Sequence, residues 1–324
     1  MRCRTIYALT AIALLSCLKT IGQADINMAT RWNNRATYNP AFIGRPDYLY
    51  LYANTRKQWI GVDGAPLVFN LQASEYFDII RSAIGLSFVS DKIGATQTIN
   101  PMVSYAFRIA KKKKWEFSMG LSAGVFMRTL NGSLFEPDDV NDPSISYASE
   151  RTIDPDLNVG FEFQNTHFIY GISSTHLFSI GKSNTSFLKN ANHRYAYAIY
   201  KNDNPEFISY SMGIQVVNRS DLTILEGNLS FRLKHLARLI NASPLLKGPK
   251  ESLDFGVTYR SSRQVSLLAG IMITPYLRIG YAYDQSLFYS YSQNQTHEIM
   301  LEYRIPARAA STVYRCGSKE FWYH

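Results

Sequence analysis

Cysteine is almost absent from this chain, and long hydrophobic runs are absent after its first twenty residues. The 324 residues include three cysteines, Cys3, Cys17 and Cys316. Two lie in an N-terminal segment that reads as removable, which leaves Cys316 alone in the mature protein. A lone cysteine makes neither a disulfide framework nor a metal cluster nor a redox pair. Beyond residue 20 no stretch offers eighteen consecutive apolar positions, which excludes a membrane-spanning helix there. Phosphate-cradling glycine loops and zinc-type spacings are also missing, so no cofactor and no metal are expected. Tryptophan is scarce, 4 residues against 22 Tyr and 18 Phe, although aromatics reach 14 % of the chain.

What is present begins with a targeting pattern. Arg2 and Arg4 form a basic start, Ile6 to Leu18 an apolar stretch, and Gly22 and Ala24 a small-residue site before Asp25. This reads as a signal peptide over residues 1–24. Leu14-Leu15-Ser16-Cys17 offers a second reading, a lipoprotein box that would leave Cys17 lipidated. The formal charge of +9 falls by three, to +6, once Arg2, Arg4 and Lys19 are removed. Part of that surplus sits in Lys111 to Lys114, which reads as a solvated turn; no nucleic acid partner is expected.

The dominant signal is period-two alternation. From Trp115 to Val125 every odd residue is apolar and every even one small or polar. Side chains on a strand alternate between faces, so one face is apolar and the other polar. At eleven residues the run exceeds the ordinary strand of about five to six and matches the ~9–11 that cross a bilayer at a tilt. Fourteen such strands are expected: 47–55, 65–76, 82–90, 97–109, 114–126, 155–163, 166–178, 193–201, 206–217, 222–233, 251–261, 263–273, 275–285 and 296–305. An all-β, transmembrane antiparallel β-barrel of about 14 strands over residues 25–305, with a C-terminal tail at 306–324, accounts for them. A soluble sandwich would have to place fourteen long strands in two sheets.

The register places Val103, Tyr105, Leu157, Phe161, Phe255, Tyr281 and Leu301 toward lipid. Glu116, Glu162, Glu226, Arg232, Asp254, Arg260, Arg278, Asp284, Glu298, Glu302 and Arg304 then face the lumen, because a basic residue facing mid-bilayer lipid costs ~2–4 kcal/mol. Long connections at 56–64, 127–154, 179–192 and 286–295 should share the outer side. The 234–250 stretch is the exception, a long connection that would fall on the periplasmic side as a short amphipathic helix or a lumenal insert. Hydrolytic chemistry would draw on His167, His176 or His297 with Ser173 or Ser174, His176 and Ser174 sharing a face. Asp138-Asp139, Asn141-Asp142 and Asp154-Pro155-Asp156 would be a loop calcium site but lack the closing Glu. Lumen polarity and solvated loop carboxylates explain these residues without catalysis.

Tyr38-Asn39-Pro40-Ala41-Phe42-Ile43-Gly44 resembles the start of the PorP/SprF family, outer-membrane proteins of the type IX secretion system and gliding machinery. Further matches follow in order: Arg56-Lys57-Gln58-Trp59, Gly64-Ala65-Pro66, Ala83 to Leu86, Asp91 to Gly94, Asp154 to Gly160, Gly256 to Tyr259-Arg260, Gly280-Tyr281-Ala282-Tyr283-Asp284, and His297-Glu298-Ile299-Met300-Leu301. Physically, Asn39-Pro40 reads as a turn before the first strand, and Trp59 suits an interfacial belt. Gly85, Gly160, Gly256 and Gly280 read as lumen positions that leave room for a plug or bend the strand. The tail to Phe321-Trp322-Tyr323-His324 has three readings: a lumen plug, a dock for a periplasmic partner, or a disordered end.

The resemblance implies an accessory role with no catalysis, in an outer-membrane lipid setting. It implies support for secretion or surface attachment of a secreted adhesin cargo. It also implies contact with periplasmic ring or peptidoglycan-binding lipoproteins, with the motif residues as structural or partner contacts. The alternative on the same barrel physics is an outer-membrane channel or fatty-acid-type transporter. Fourteen strands enclose a lumen too narrow for folded cargo, which favours an adaptor over a conduit.

Overall fold

Strands in lipid persist only if every backbone group is paired, and closing the sheet is the way to leave no edge. The computed structural model of this chain is such a closure: fourteen strands follow one another in sequence order and the first pairs with the last. Described here are residues 28–44, 48–111, 115–135, 147–179, 192–202, 208–219, 222–234, 251–287 and 295–306. The signal-like segment, Cys17, Lys112 to Lys114, the Asp138 to Asp142 carboxylates, the 235–250 connection and the tail beyond 306 lie outside them.

The strands are β1 (Tyr48–Lys57), β2 (Leu67–Phe77), β3 (Ser82–Ile93), β4 (Thr96–Lys111) and β5 (Trp115–Asn131). They continue with β6 (Ser149–Asn165), β7 (Phe168–Thr175), β8 (His193–Asn202), β9 (Ile208–Arg219) and β10 (Leu222–Lys234). The wall is completed by β11 (Glu251–Arg260), β12 (Gln264–Met272), β13 (Leu277–Ser286) and β14 (Thr296–Pro306). Every neighbouring pair is antiparallel, with Leu51 opposite Tyr303 across the closing seam. Connections alternate as expected: tight turns at 78–81 and 166–167, and longer segments at 58–66, 132–148, 176–192 and 287–295. The two rims are called here the tight-turn end and the long-loop end.

The alternation sets the register. On β5, Met119, Leu121 and Val125 are exposed on the outer face, while Glu116, Ser118 and Ser122 are buried inside. All eleven charges expected in the lumen are buried there. Two expectations change. First, β5 and β6 are each 17 residues long, and Met127↔Ile153 to Asn131↔Ser149 continue their ladder. Asp154-Pro155-Asp156 therefore stands in β6, not in a loop. Asp156 is buried and accepts Asn100 Nδ2 at 2.9 Å.

Second, β8 reverses the apolar-out rule: Tyr195, Tyr197 and Ile199 are buried inside, with Ala196 and Ala198 on the opposite face. The reason lies in the lumen, where Trp32 and Tyr38 pack with Ile169, Val217 and Ile224 against these residues. A core of soluble-protein character thus fills part of the barrel. Tyr38 stacks on Tyr195 with ring centroids 5.0 Å apart and meets Tyr197 edge-on at 5.6 Å.

Register specifies position sharply. Leu121→Arg puts a guanidinium on the lipid face at the middle of β5 and should destabilise the barrel by about 2–4 kcal/mol. Ser118→Ala, on the inner face, should shift stability little. Urea unfolding in micelles, followed by heat-modifiable gel migration, checks the difference; equal midpoints for the two variants would contradict the register.

Candidate functional site

Residues 28–44 run through the lumen as three 3₁₀ turns, Ala29–Trp32, Arg35–Thr37 and Pro40–Phe42. Asparagine side chains open two of them, mimicking a backbone turn by accepting an N–H two residues on. Asn34 Oδ1 accepts Ala36 N at 3.1 Å, and Asn39 Oδ1 accepts Ala41 N at 3.0 Å. The expected Asn39-Pro40 turn exists, but inside the barrel. This N-terminal segment is the plug visible among the described residues.

Three wall carboxylates hold it. Glu298 on β14 accepts Ala29 N at 2.7 Å and Thr30 N at 3.1 Å, capping the otherwise unpaired amides that begin a turn. Glu226 on β10 meets Arg31 and also accepts Arg260 Nε at 3.0 Å. Glu162 on β6 takes Arg35 in a two-point pair at 2.9 and 3.2 Å and accepts Tyr197 OH at 2.5 Å. Paired charges of this kind are stable in a dry interior only with such added hydrogen bonds. Where the plug leaves the lumen, Arg108 of β4 donates to the Ile43 carbonyl at 2.6 Å and to that of Gly44.

Electrostatics differ between the two plug arginines. Burial, then repulsion from Arg260 and Arg219, pulls Arg31 down to about 9. Burial also works against Arg35, but the Glu162 carboxylate and the Tyr197 oxygen more than reverse it, so Arg35 holds its proton more tightly than usual. Burial pushes the Tyr38 phenol up. Both arginines are firmly charged at neutral pH, as their carboxylate partners require.

Close approach of plug to wall depends on missing side chains. A Cβ at Gly120 would strike the Pro40 and Ala41 backbone, one at Gly160 the Asn39 side chain, and one at Gly213 the Trp32 ring. Gly120 and Gly160 are direct cross-strand partners. Of the glycines expected to leave room for a plug, Gly160 does so, and a Cβ at Gly85 would meet Ile43 at 3.4 Å, an ordinary contact. Gly256 and Gly280 face wall side chains, Ser230 and Met300.

The family-motif residues fall into four places. Tyr38, Asn39, Pro40 and Gly44 belong to the plug. Arg56, Arg260, Asp284 and Glu298, drawn from four separate motifs, converge in one buried network. Arg56 Nη1 lies 2.7 Å from Asp284 and also pairs Glu298, and Arg260 Nη1 lies 3.2 Å from Asp284. Trp59, Pro66 and Gly94 are at the long-loop end, where Gln58 N donates to the Pro66 carbonyl at 3.0 Å and Gly94 N to that of Gly64 at 2.8 Å. Arg56 itself is on β1 and buried, not in the loop. Tyr259, Tyr281, Tyr283 and His297 stand on the outer face, with Tyr281 OH 2.5 Å from His297 Nδ1. Arg31, Arg35 and Arg108 were not singled out in the sequence; each is a cation beside a carboxylate or carbonyl supplied by distant residues.

The hydrolytic pairing does not form. The strand ends at Thr175, Ser174 lies on the opposite register from the lumen-facing Ser173 and Thr175, and His176 bonds Asp156 at 2.8 Å. Ser174 Oγ instead accepts Asn192 Nδ2 at 2.9 Å.

Two variants test the plug anchorage. Glu298→Ala removes the acceptor of two amides and of Arg56, and should weaken docking by about 3–5 kcal/mol. Gly120→Val should displace residues 39–44, while Gly256→Ala, which meets a movable Ser230 hydroxyl and wall atoms at ordinary contact distance but no plug atom, should not. Hydrogen exchange over residues 28–44 should rise in the first two and stay native in the third; unchanged protection in Glu298→Ala would remove the latch from the account.

Solved structures with this architecture are outer-membrane barrels. The CymD monoaromatic hydrocarbon channel is 11 % identical, with a TM-score of 0.51 over 90 % of this chain and 96 % of that one; the likeness is one of fold. A Pseudomonas aeruginosa FadL homologue is 12 % identical, TM-score 0.42, over 87 % of this chain and 95 % of that one. Omp33 of Acinetobacter baumannii is 10 % identical, TM-score 0.42, over 81 % and 100 %. No curated protein sequence matches. The family described as type IX secretion system membrane protein PorP/SprF matches residues 22–303, nearly the whole of the plug and barrel, and the chain belongs to that family of outer-membrane proteins.

Proposed function

We propose that this chain is a plugged outer-membrane accessory component of type IX secretion and gliding machinery. In this reading residues 1–24 are a signal peptide, 25–305 form plug and barrel, and 306–324 are a tail. It supports secretion or surface attachment of adhesin cargo and contacts periplasmic ring or peptidoglycan-binding lipoproteins. The observation that carries the adaptor reading, beside the family itself, is the plug fastened by Glu162, Glu226 and Glu298. A lumen occupied by paired charges and a packed aromatic core favours a partner over a conduit. The channel or fatty-acid-type alternative needs that plug to leave.

Gentle detergent extraction of the full chain from its own membranes, followed by mass spectrometry of what co-purifies, tests the proposal. Periplasmic lipoproteins or a large secreted adhesin are expected among the partners. A barrel that is solitary in repeated preparations would defeat the adaptor role. Liposome swelling supplies the opposing arm: solute flux is expected to be minimal for the native chain and to rise in Glu298→Ala, and free flux through the native protein would favour the channel.

A further inference from the structure

The plug is seated off-centre. Its ion pairs and cap reach β6, β10 and β14, and between it and the β2–β6 wall a crevice of about 560 Å³ remains. Toward the tight-turn end, Ile43 packs on Ala83 and Ala106 and Arg108 binds the exiting backbone, so the crevice has a floor. β4 lines it with Thr96, Thr98, Asn100 and Ser104, eight residue steps or about 27 Å of strand. A space so long for its volume suits an unbranched chain rather than a compact ligand.

Its polar chemistry is mainly hydroxyl and amide, set among apolar side chains such as Val68, Val89 and Met102. β2 adds Asn70 and Gln72, β5 adds Ser122, and the plug adds Thr37. Asp91 is a carboxylate of the lining and Arg31 and Arg128 are guanidiniums of it, Arg31 being paired with Glu226 of the wall, so the lining carries charge of both signs. Hydroxyls and amides both donate and accept, which matches a neutral ligand rich in the same groups. Tyr195 and Phe126 supply ring surfaces beside them.

One lining residue is held in an uncommon backbone state. His176 has φ +57°, a left-handed conformation that few non-glycine residues adopt and that tends to persist where the surroundings enforce it for function. Its N–H donates to Asn158 Oδ1 at 2.9 Å, and its Nδ1 lies 2.8 Å from the buried Asp156 carboxylate. Phe126 and His193 pack edge-on against the ring at 5.5 and 5.6 Å. Asp156, which can only accept, requires the proton on Nδ1, so the neutral ring presents Nε2, which no described residue bonds, as an acceptor. Arg31 Nε, buried and without a hydrogen-bond partner among the described residues, belongs to the same lining residue set.

We propose that this crevice binds a neutral, unbranched oligosaccharide, with His176 Nε2 accepting a sugar hydroxyl and Phe126 and Tyr195 beside the pyranose rings. An extended peptide is the competing linear ligand, and the mode open to an extended strand is addition to an unpaired sheet edge. This barrel closes on itself and offers none. Recognition here has to come from side chains, and the hydroxyls and amides among them are the groups a sugar requires. The inference is independent of the secretion role and stands or falls without it.

The test uses the full chain in a detergent without a sugar head group, titrated calorimetrically with maltotriose, chitotriose and a neutral tetrapeptide. Saturable binding of at least one trisaccharide is expected, weakened tenfold or more by His176→Ala and by the crevice-filling Thr98→Trp. Leu121→Ala, on the lipid face, should bind like the native chain. Heat-modifiable migration confirms that each variant is folded, and either crevice variant suffices. No saturable trisaccharide binding, affinity unchanged in the folded crevice variants, or tighter binding of the tetrapeptide would overturn the proposal.

Discussion

Buried carboxylates are the constraint on which the rest of the structure depends. Period-two alternation forces the charges of β6, β10 and β14 to one side of the wall, and lipid excludes that side from being the outer one. Inside, Glu162, Glu226 and Glu298 are almost fully removed from solvent. An ionised carboxylate so placed is tolerable only with a partner and satisfied lone pairs. The wall supplies part of this through Arg56 and Arg260, and residues 28–44 supply the remainder through Arg31, Arg35 and two backbone amides. Plug and barrel are therefore one electrostatic unit. Breaking one buried pair costs about 3–5 kcal/mol, a large part of the roughly 5–15 kcal/mol that separates a typical folded domain from its unfolded chain.

The same plug explains why the wall is not uniformly polar within. Trp32 and Tyr38 would be exposed apolar surface in a water-filled channel. Against β7–β10 they meet Ile169, Tyr197 and Val217 instead, and β8 carries its bulk inward with alanines outside. Hydrophobic burial and ion pairing thus act together on one short segment, Trp32 and Tyr38 packing between the pairs made by Glu162 and Glu226. Because that segment has only three-residue to four-residue turns, neither force alone would order it: 3₁₀ turns have poor hydrogen-bond geometry and little stability of their own.

Much of the wall was legible in the sequence because alternation is a local property. Strands, register, lumen charges and rim asymmetry all follow from neighbours two residues apart. The ends of β5 and β6 were misplaced because Arg128, Arg151 and Asp154 look like loop residues, while pairing across the rim keeps them in strand. The plug was not legible for a different reason. Residues 28–44 have neither a 3.6 nor a 2.0 period, and their partners lie as far as 269 positions away. The available signal was indirect, in Gly120, Gly160 and Gly213 standing on the polar register with no bend or turn to demand them. Likewise Arg56, Arg260, Asp284 and Glu298 were each conspicuous within a motif, but only closure of β1 on β14 makes them one network.

That closure bears on how the plug is acquired. The β1–β14 seam joins the two ends of the barrel sequence, with Tyr48 opposite Pro306 and Arg56 opposite Glu298. The plug's first turn is bound to Glu298, and Tyr52 and Asn54 of β1 donate to Thr30 Oγ1 at 3.1 and 2.9 Å. The turn is thus fastened by the same two strands that seal the wall. From there the chain descends past β9, β8 and β6 to Gly44, where it donates to Ser74 Oγ at 3.2 Å near the tight-turn end and passes on toward β1. Threading it after closure would drag Trp32 and two arginines past a packed lumen, whereas β14 arriving last finds the turn and its carboxylate site together. Contacts this distant in sequence form late because loop closure is unfavourable until they exist. Plug docking and barrel sealing therefore draw on the same strands, and Glu298 is the residue common to both.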